Sequence, residues 1–215
     1  MDGKSIAIVG AGGHAKVVCD TLKISLQKKG SGKVLGFVDD DPSLWGKVFS
    51  GLPILGSIEG IVDLDIDRVI VAIGGNKDRK RVYEWVQSEQ YHLTNAIHPT
   101  AVIGTDVSIG KGVAIFANVV VNSGSSIGNN VILNTGCTVD HDCSIGQHAH
   151  IGPGAHLAGG VEIAEGTFVG VGTSIIPYRK IGSWSIVGAG SVVIEDVPDQ
   201  VTVAGLPAKK IVKRD

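Results

Sequence analysis

The chain has 215 residues, enough for one large or two modest domains. Its 19 Lys and Arg stand against 21 Asp and Glu, a formal net charge of −2 with no basic stripe, which argues against a nucleic-acid partner or a polybasic membrane anchor. No apolar run reaches the roughly 18 residues of a membrane span, and the start MDGKSIAIVGAGG lacks the apolar core and cleavage site of a secretory leader, so a cytoplasmic protein without membrane insertion is expected.

Residues 4–9 read as a buried strand, and Gly10-Ala-Gly12-Gly13-His14-Ala15 as a tight turn into a helix from residue 16 to about 25. A second strand over 34–38 ends in Asp39-Asp40-Asp41, and a third over 68–73 ends in Gly74-Gly75-Asn76. A charge-rich helix over 77–90 and a short strand over 92–97 complete this half. Strands alternating with helices imply a small parallel α/β sheet with its ligand crevice at the carboxyl ends of the strands, where all three glycine or acidic clusters fall. Gly10-x-Gly12-x-x-Ala15 fits a dinucleotide fingerprint, with Asp39 where a ribose-binding acid is expected. The physics is that of any diphosphate: glycines let the backbone approach it, and a helix N-terminus offers free N–H groups and positive potential. A strand-to-helix turn without ligand has the same sequence. His14 at its mouth can contact a phosphate or sugar, or be structural. With under 100 residues this half is small for a full dinucleotide domain, and a nucleotide-sugar, which needs one Rossmann-like half, fits better.

Beyond residue 98 sixteen aliphatic residues stand six apart, from Ile103, Ile109 and Ile115 to Ile181, Val187 and Val193. A period of six fits neither an α-helix nor a flat strand and predicts a parallel β-helix in which every sixth residue points inward. In the hexapeptide-repeat proteins that this stretch resembles, three hexapeptides make one triangular coil, which implies about five coils here. The place two before each aliphatic is usually small or β-branched, and the place after it is often a turn former such as Gly104, Gly110, Asn122 or Gly128, which predicts that the chain bends there. Cys137 and Cys143 occupy the small inward place, and with Cys19 they make an odd count without CxxC spacing, so neither disulfides nor a cysteine zinc site is expected. The expected divisions are an α/β domain over 1–97, a β-helix over 98–195 and a tail over 196–215 that breaks the rhythm and packs across the last coil.

Four histidines, His141, His148, His150 and His156, crowd one stretch. His141 falls near a corner with Asp140 and Asp142 beside it, and a carboxylate on one ring nitrogen would leave the other free as a general base. His148 and His156 are expected to be solvated, and His150 to point outward. A three-histidine zinc site is the rival reading, although an i, i+2 pair is hard to place around one tetrahedral ion; no metal is expected.

Gly10-Ala-Gly-Gly-His14-Ala, Phe37-Val-Asp39-Asp40, Ala72-Ile-Gly74-Gly75-Asn76, Asn134-Thr-Gly, His141-Asp142-Cys143-x-Ile-Gly146, His150-Ile-Gly-Pro-Gly, Ala158-Gly159-Gly160-Val, Val187-Gly188-Ala189-Gly190-Ser191 and Gly205-Leu-Pro207-Ala208-Lys209 together resemble the hexapeptide-repeat nucleotide-sugar acetyltransferases of the sialic-acid O-acetyltransferase and bacillosamine and perosamine N-acetyltransferase group. The resemblance implies a left-handed β-helix and a homotrimer with acetyl-CoA between neighbouring prisms. It implies acetyl transfer to the 4-amino group of a nucleotide-linked amino-deoxy sugar, GDP-perosamine by closest likeness, for lipopolysaccharide O-antigen synthesis. It makes His141 the base and Asp142 its support, in a place where relatives carry the longer Glu; Asp140 is a rival support. It places Asn134, His150, Gly159, Val171 and Ala189 along acetyl-CoA, and Gly12, Gly13, His14, Asp39, Asp40 and Gly74 around the nucleotide-sugar. An O-acetyltransferase, a non-catalytic sugar-nucleotide-binding scaffold and an NAD-linked enzyme remain alternatives.

Overall fold

A computed structural model describes residues 5–211, so residue 4, expected to open the first strand, and residues 212–215 of the expected tail lie outside the described range. The chain falls into two compact units, Met1–Pro99 and Thr100–Asp215.

The first unit is built on β1 (Ser5–Val9), β2 (Lys33–Val38), β5 (Arg68–Val71) and β6 (His92–Leu93), with the β3–β4 hairpin (Val48–Phe49, Leu52–Pro53) inserted between β2 and β5. The four sheet strands lie in the order β2-β1-β5-β6 and all run parallel. A central parallel strand is covered on both faces and must be apolar throughout. In β1, Ile6 to Val9 are accordingly at most 3% exposed. Helix α1 (Gly13–Lys29) begins three residues earlier than expected and closes on Gly30, whose φ of 68° lets its N–H reach the carbonyls of Leu26 and Gln27. Helix α2 (Asn76–Ser88) lays Val82, Tyr83 and Val86 onto Ala7, Val9, Val69 and Val71. The expected strand over 92–97 is two pieces, β6 and β7 (Ala96–Ile97).

In the second unit each hexapeptide supplies a two-residue strand that pairs in parallel with the residue 18 places on, as Val102 with Val120 and Ser126 with Ser144. Three walls result. The first holds Val102–Ile103, Val120–Val121, Thr138–Val139, His156–Leu157, Ser174–Ile175 and Val192–Val193; the second runs from Ser108–Ile109 to Lys180–Ile181; the third from Ala114–Ile115 through His150–Ile151 and Phe168–Val169 to Ile186–Val187. The architecture is an α/β unit followed by a left-handed parallel β-helix. From Ile115 to Val193 the aliphatic of every hexapeptide is at most 3% exposed, whereas Ile103 and Ile109 in the first coil are part-exposed. Each buried aliphatic contributes roughly 1.5–3 kcal/mol. Hydroxyls in the small inward place are satisfied by main-chain carbonyls, Thr167 donating to Gly182 at 2.7 Å and Ser185 to Pro198 at 2.6 Å.

Two expectations are corrected. The chain does not take its left-handed step at the residue after the aliphatic but two places later, at Asp106, Asn118, Asn130, Asp142, His148, Tyr178 and Trp184 (φ 56–61°) and at glycines between them. The glycine directly after the aliphatic serves close packing: a Cβ on Gly170 would stand 2.6 Å from the Ala189 nitrogen, and one on Gly128 2.6 Å from that of Gln147. The rhythm also breaks near residue 195 without ending the coil. Val197 bridges to Ile181, and Thr202–Ala204 pairs in parallel with Ile186–Val187, now 16 residues on instead of 18. These two places bring the prism to about six coils instead of five. A last strand, Lys209–Lys210, then turns back antiparallel on Val203 and Ala204.

Candidate functional site

The carboxyl end of β1 meets α1 through Gly10, which adopts φ 101° and donates to the Val38 carbonyl. Gly12 is the N-cap of α1 and has no side chain to cap the first turn; its carbonyl accepts the Ala15 N–H at 3.1 Å. A Cβ on Gly12 or Gly13 would meet nothing within 4 Å, so the protein itself does not demand glycine there, while a ligand lying on the backbone would. His14 follows, part-buried beside Gly74, and burial, with the Arg79 charge second, pulls its pKa down to about 4, so the ring is neutral near pH 7. Arg79 is itself buried and donates through Nη1 to the carbonyls of Ile73 and Gly74 at 3.2 and 3.0 Å, fixing the turn into α2. The two acids at the end of β2 bind main chain. Asp39 accepts from the nitrogens of Ala11 (2.8 Å) and Asp41 (3.0 Å), and Asp40 from that of Ile58 (3.0 Å). Gly12, Gly13, His14, Asp39 and Gly74 thus gather around one end of the sheet, with Asp40 the next residue after Asp39.

On the prism, the corner after the first wall carries Asp140, His141 and Asp142. Asp142 stands at the left-handed place (φ 58°), which turns its carboxylate back to His141, with Oδ2 2.9 Å from Nδ1. Gly124, one coil away, leaves room, since a Cβ there would lie 2.5 Å from Asp142 Oδ1. Asp140 instead accepts the His141 backbone N–H at 2.8 Å and the Asn122 amide at 2.8 Å. The two carboxylates therefore divide the work, Asp142 on the ring and Asp140 on the main chain. The hydrogen bond to Asp142 first, and then the charge of Asp140, raise the His141 pKa above its ordinary value. The Asn122 hydrogen bond and then that from His141 N–H hold Asp140 below the usual carboxylate range. Gly159 lies directly against the imidazole: a Cβ on it would stand 2.6 Å from Cε1 and Nε2.

Asn134, His150, Val171 and Ala189 belong elsewhere, on the third wall and at the corner that closes it. The Asn134 amide nitrogen lies 3.1 Å from His150 Nε2. The His150 ring is 9% exposed and packs edge-on against Phe168, with centroids 5.1 Å apart. Val171 and Ala189 stack one coil apart as an exposed apolar column at the corner. The whole width of the first wall separates this group from His141, and Gly159, expected with the second group, stands with His141.

His148 is not solvated as expected. It sits at a left-handed corner, 2% exposed, with Nδ1 2.8 Å from the Asn130 amide nitrogen. His156 is exposed and lies 2.9 Å from the Thr138 hydroxyl. Among the described residues no group of three His, Cys, Asp or Glu could hold a metal ion. All three cysteines are buried and free, and burial pushes Cys137 up to about 12. Sequence reasoning read Asn122 only as a turn former and did not single out Gly124 or Arg79, because the roles of all three depend on a neighbouring coil or a buried turn.

Residues 5–86 match the PglD N-terminal domain family, and residues 124–159 and 142–177 match the bacterial transferase hexapeptide (six repeats) family. PerB from Caulobacter crescentus, solved in complex with CoA and GDP-perosamine, is 41% identical, with 99% of this chain and 98% of that one covered and a TM-score of 0.89. Its relatives among solved structures include a variant with one histidine replaced by asparagine, in complex with the same two compounds. The acetyltransferase domain of PglB from Neisseria gonorrhoeae FA1090, in complex with acetyl coenzyme A, is 36% identical over 98% of this chain and 100% of that one, with a TM-score of 0.89. A 2,3,4,5-tetrahydropyridine-2,6-dicarboxylate N-acetyltransferase of Clostridium perfringens is 69% identical over 32 residues, which span 15% of this chain and only 14% of that protein.

Proposed function

This chain belongs to the hexapeptide-repeat nucleotide-sugar acetyltransferase family, and from that premise we propose that it transfers acetyl from acetyl-CoA to the 4-amino group of a nucleotide-linked amino-deoxy sugar, GDP-perosamine, by direct attack with His141 as general base. The observation that carries the assignment is the His141–Asp142 contact, which fixes Nδ1 as the donor and leaves Nε2 to accept a proton. A sugar amine is largely protonated near neutral pH, and only its free lone pair can attack a thioester. His141 takes the proton as the C–N bond forms. The electron pair of the thioester carbonyl moves to oxygen, and on collapse of the tetrahedral intermediate the C–S bond breaks and the leaving thiolate takes the proton from His141, the ammonium's other proton having gone to water before attack. A backbone N–H at a glycine-rich corner offers the oxyanion a donor. No acetyl-enzyme is formed, and the buried, protonated cysteines are poor nucleophiles.

Acetyl-CoA is the co-substrate. The Asn134–His150 pair supplies polar contacts, and Val171 and Ala189 an exposed apolar strip for its pantetheine arm. The open backbone at Gly12 and Gly13 and the neutral His14 hold the diphosphate, with Gly74, Asp39 and Asp40 toward the sugar and nucleoside ends. Since His141 and the acetyl-CoA residues stand on different corners of one prism, a complete site takes one corner from each of two copies, which supports a homotrimer. Both substrates are cytoplasmic metabolites, which favours that compartment and a step in O-antigen supply.

Thiol release from acetyl-CoA with GDP-perosamine as acceptor tests this. Turnover is expected with the wild-type chain and a loss of about 10²–10⁴-fold in His141→Asn. Full turnover in that variant, or a protein about 42 Da heavier forming as a competent intermediate, overturns the mechanism.

A further inference from the structure

We infer that Trp45 is the stacking platform for the nucleobase of the acceptor nucleotide-sugar and sets a preference for purines; the inference rests on the nucleotide-sugar reading of the first unit. Tryptophan is among the most deeply buried side chains on average, yet Trp45 is 44% exposed. Its exposure is not looseness. The indole Nε1–H donates to the Asp39 carbonyl at 2.8 Å, and its backbone N–H reaches Pro42 O at the end of a short helical turn that Asp41 caps through Ser43 N. The following residue, Gly46, donates to Ile54 O, and Leu55 donates to Phe37 O, so the loop is tied back to β2 on both sides. With the polar edge of the indole bonded to main chain, what the side chain has left to offer a ligand is its apolar ring.

Its location gives that ring a use. Asp39 holds the indole through its carbonyl and, through Oδ2, accepts from Ala11 N in the glycine turn at 2.8 Å. One residue thus spaces the diphosphate turn from the aromatic surface, the same order in which ribose spaces a diphosphate from its base. The acids expected to read the nucleoside have already committed three oxygens to main-chain N–H groups. Base–aromatic stacking adds affinity that does not depend on donor and acceptor pattern, beside the lone pairs those oxygens keep for the nucleoside. The indole's two fused rings overlap a purine more fully than a pyrimidine.

Calorimetric titration of the full chain with GDP, UDP and dTDP, with tryptophan emission recorded in parallel, tests the inference. GDP is expected to bind more tightly than UDP, to quench emission in the wild type and to leave emission unchanged in Trp45→Phe. Trp45→Ala should weaken GDP about tenfold or more and narrow the gap between GDP and UDP. Trp45→Phe, which keeps a ring, should stay within about threefold for GDP. CoA affinity should be unchanged in both, which a general loss of fold would not allow. Wild-type affinity for GDP in Trp45→Ala, or quenching that persists in Trp45→Phe, overturns the role of the indole while leaving the nucleotide site in place. A wild-type chain that binds none of the three removes the nucleotide reading itself, and this inference with it.

Discussion

At the scale of single residues, the proposed chemistry rests on His141, a histidine that is exposed and yet held. If His141 is the base proposed above, its neutral form is the active one, and because Asp142 and Asp140 raise its pKa, kcat/KM should fall as pH drops through a value above the roughly 6.5 of free histidine. Asp142→Asn removes the largest contribution and should move that acid limb to lower pH while reducing the maximum rate; a pH–rate profile with an unmoved limb would mean that another group sets it. Gly159→Ala puts a methyl where the imidazole lies. It should cut kcat with little change in the KM for acetyl-CoA, as measured by initial rates. Much of this was legible beforehand, because His141 with an acid on either side is a local pattern. The division of labour between those acids was not, since it depends on the left-handed φ of Asp142 and on Asn122 one coil away. His148 misled for the same reason: its partner Asn130 is 18 residues distant, and nothing near it in sequence announces burial.

Elements of this prism are two residues long, too short for any strand to be stable alone, so the stack of coils does the stabilising. Two kinds of glycine serve it, and they should respond differently to substitution. Gly170→Ala would press its Cβ to 2.6 Å from the Ala189 nitrogen, and main chain cannot step aside, so a loss of about 1–3 kcal/mol is expected in urea unfolding. Gly172 has φ 65° and open space beyond its Cα, and corners elsewhere take Asn at this place. Gly172→Asn should therefore stay within about 0.5 kcal/mol of the wild type. The six-residue rhythm announced the prism because every inward place obeys one rule. It hid which of two neighbouring corner places takes the unusual backbone angle, since glycine occurs at both for different reasons. It also hid the insertion between β2 and β5, whose hairpin and helical turns follow no period and are fixed by contacts such as Gly46 N with Ile54 O.

For the whole molecule, the separation of His141 from Asn134 and His150 by a full wall leads to a complementation test. His141→Asn and Asn134→Ala chains, each nearly inactive alone, should regain about a quarter of wild-type sites when refolded together in equal amounts, because a site with one intact half from each copy is then possible. Mixed assemblies with no activity would place all groups of the site on one chain. The other whole-molecule feature is the reversal at Lys209–Lys210. A stack of parallel rungs is in principle extensible, since its last rung offers the next one the same unpaired N–H and C=O groups that every rung inside the stack uses. By running the opposite way across Val203 and Ala204, and by bearing two cations, the Lys209–Lys210 strand presents a direction that a further parallel rung does not match and a charge that repels a second such edge. Truncation after Ala204 should bare the parallel edge of Thr202–Ala204, and light scattering should then detect self-association of prisms through it, so that one short reversed strand decides whether the protein stays a discrete particle.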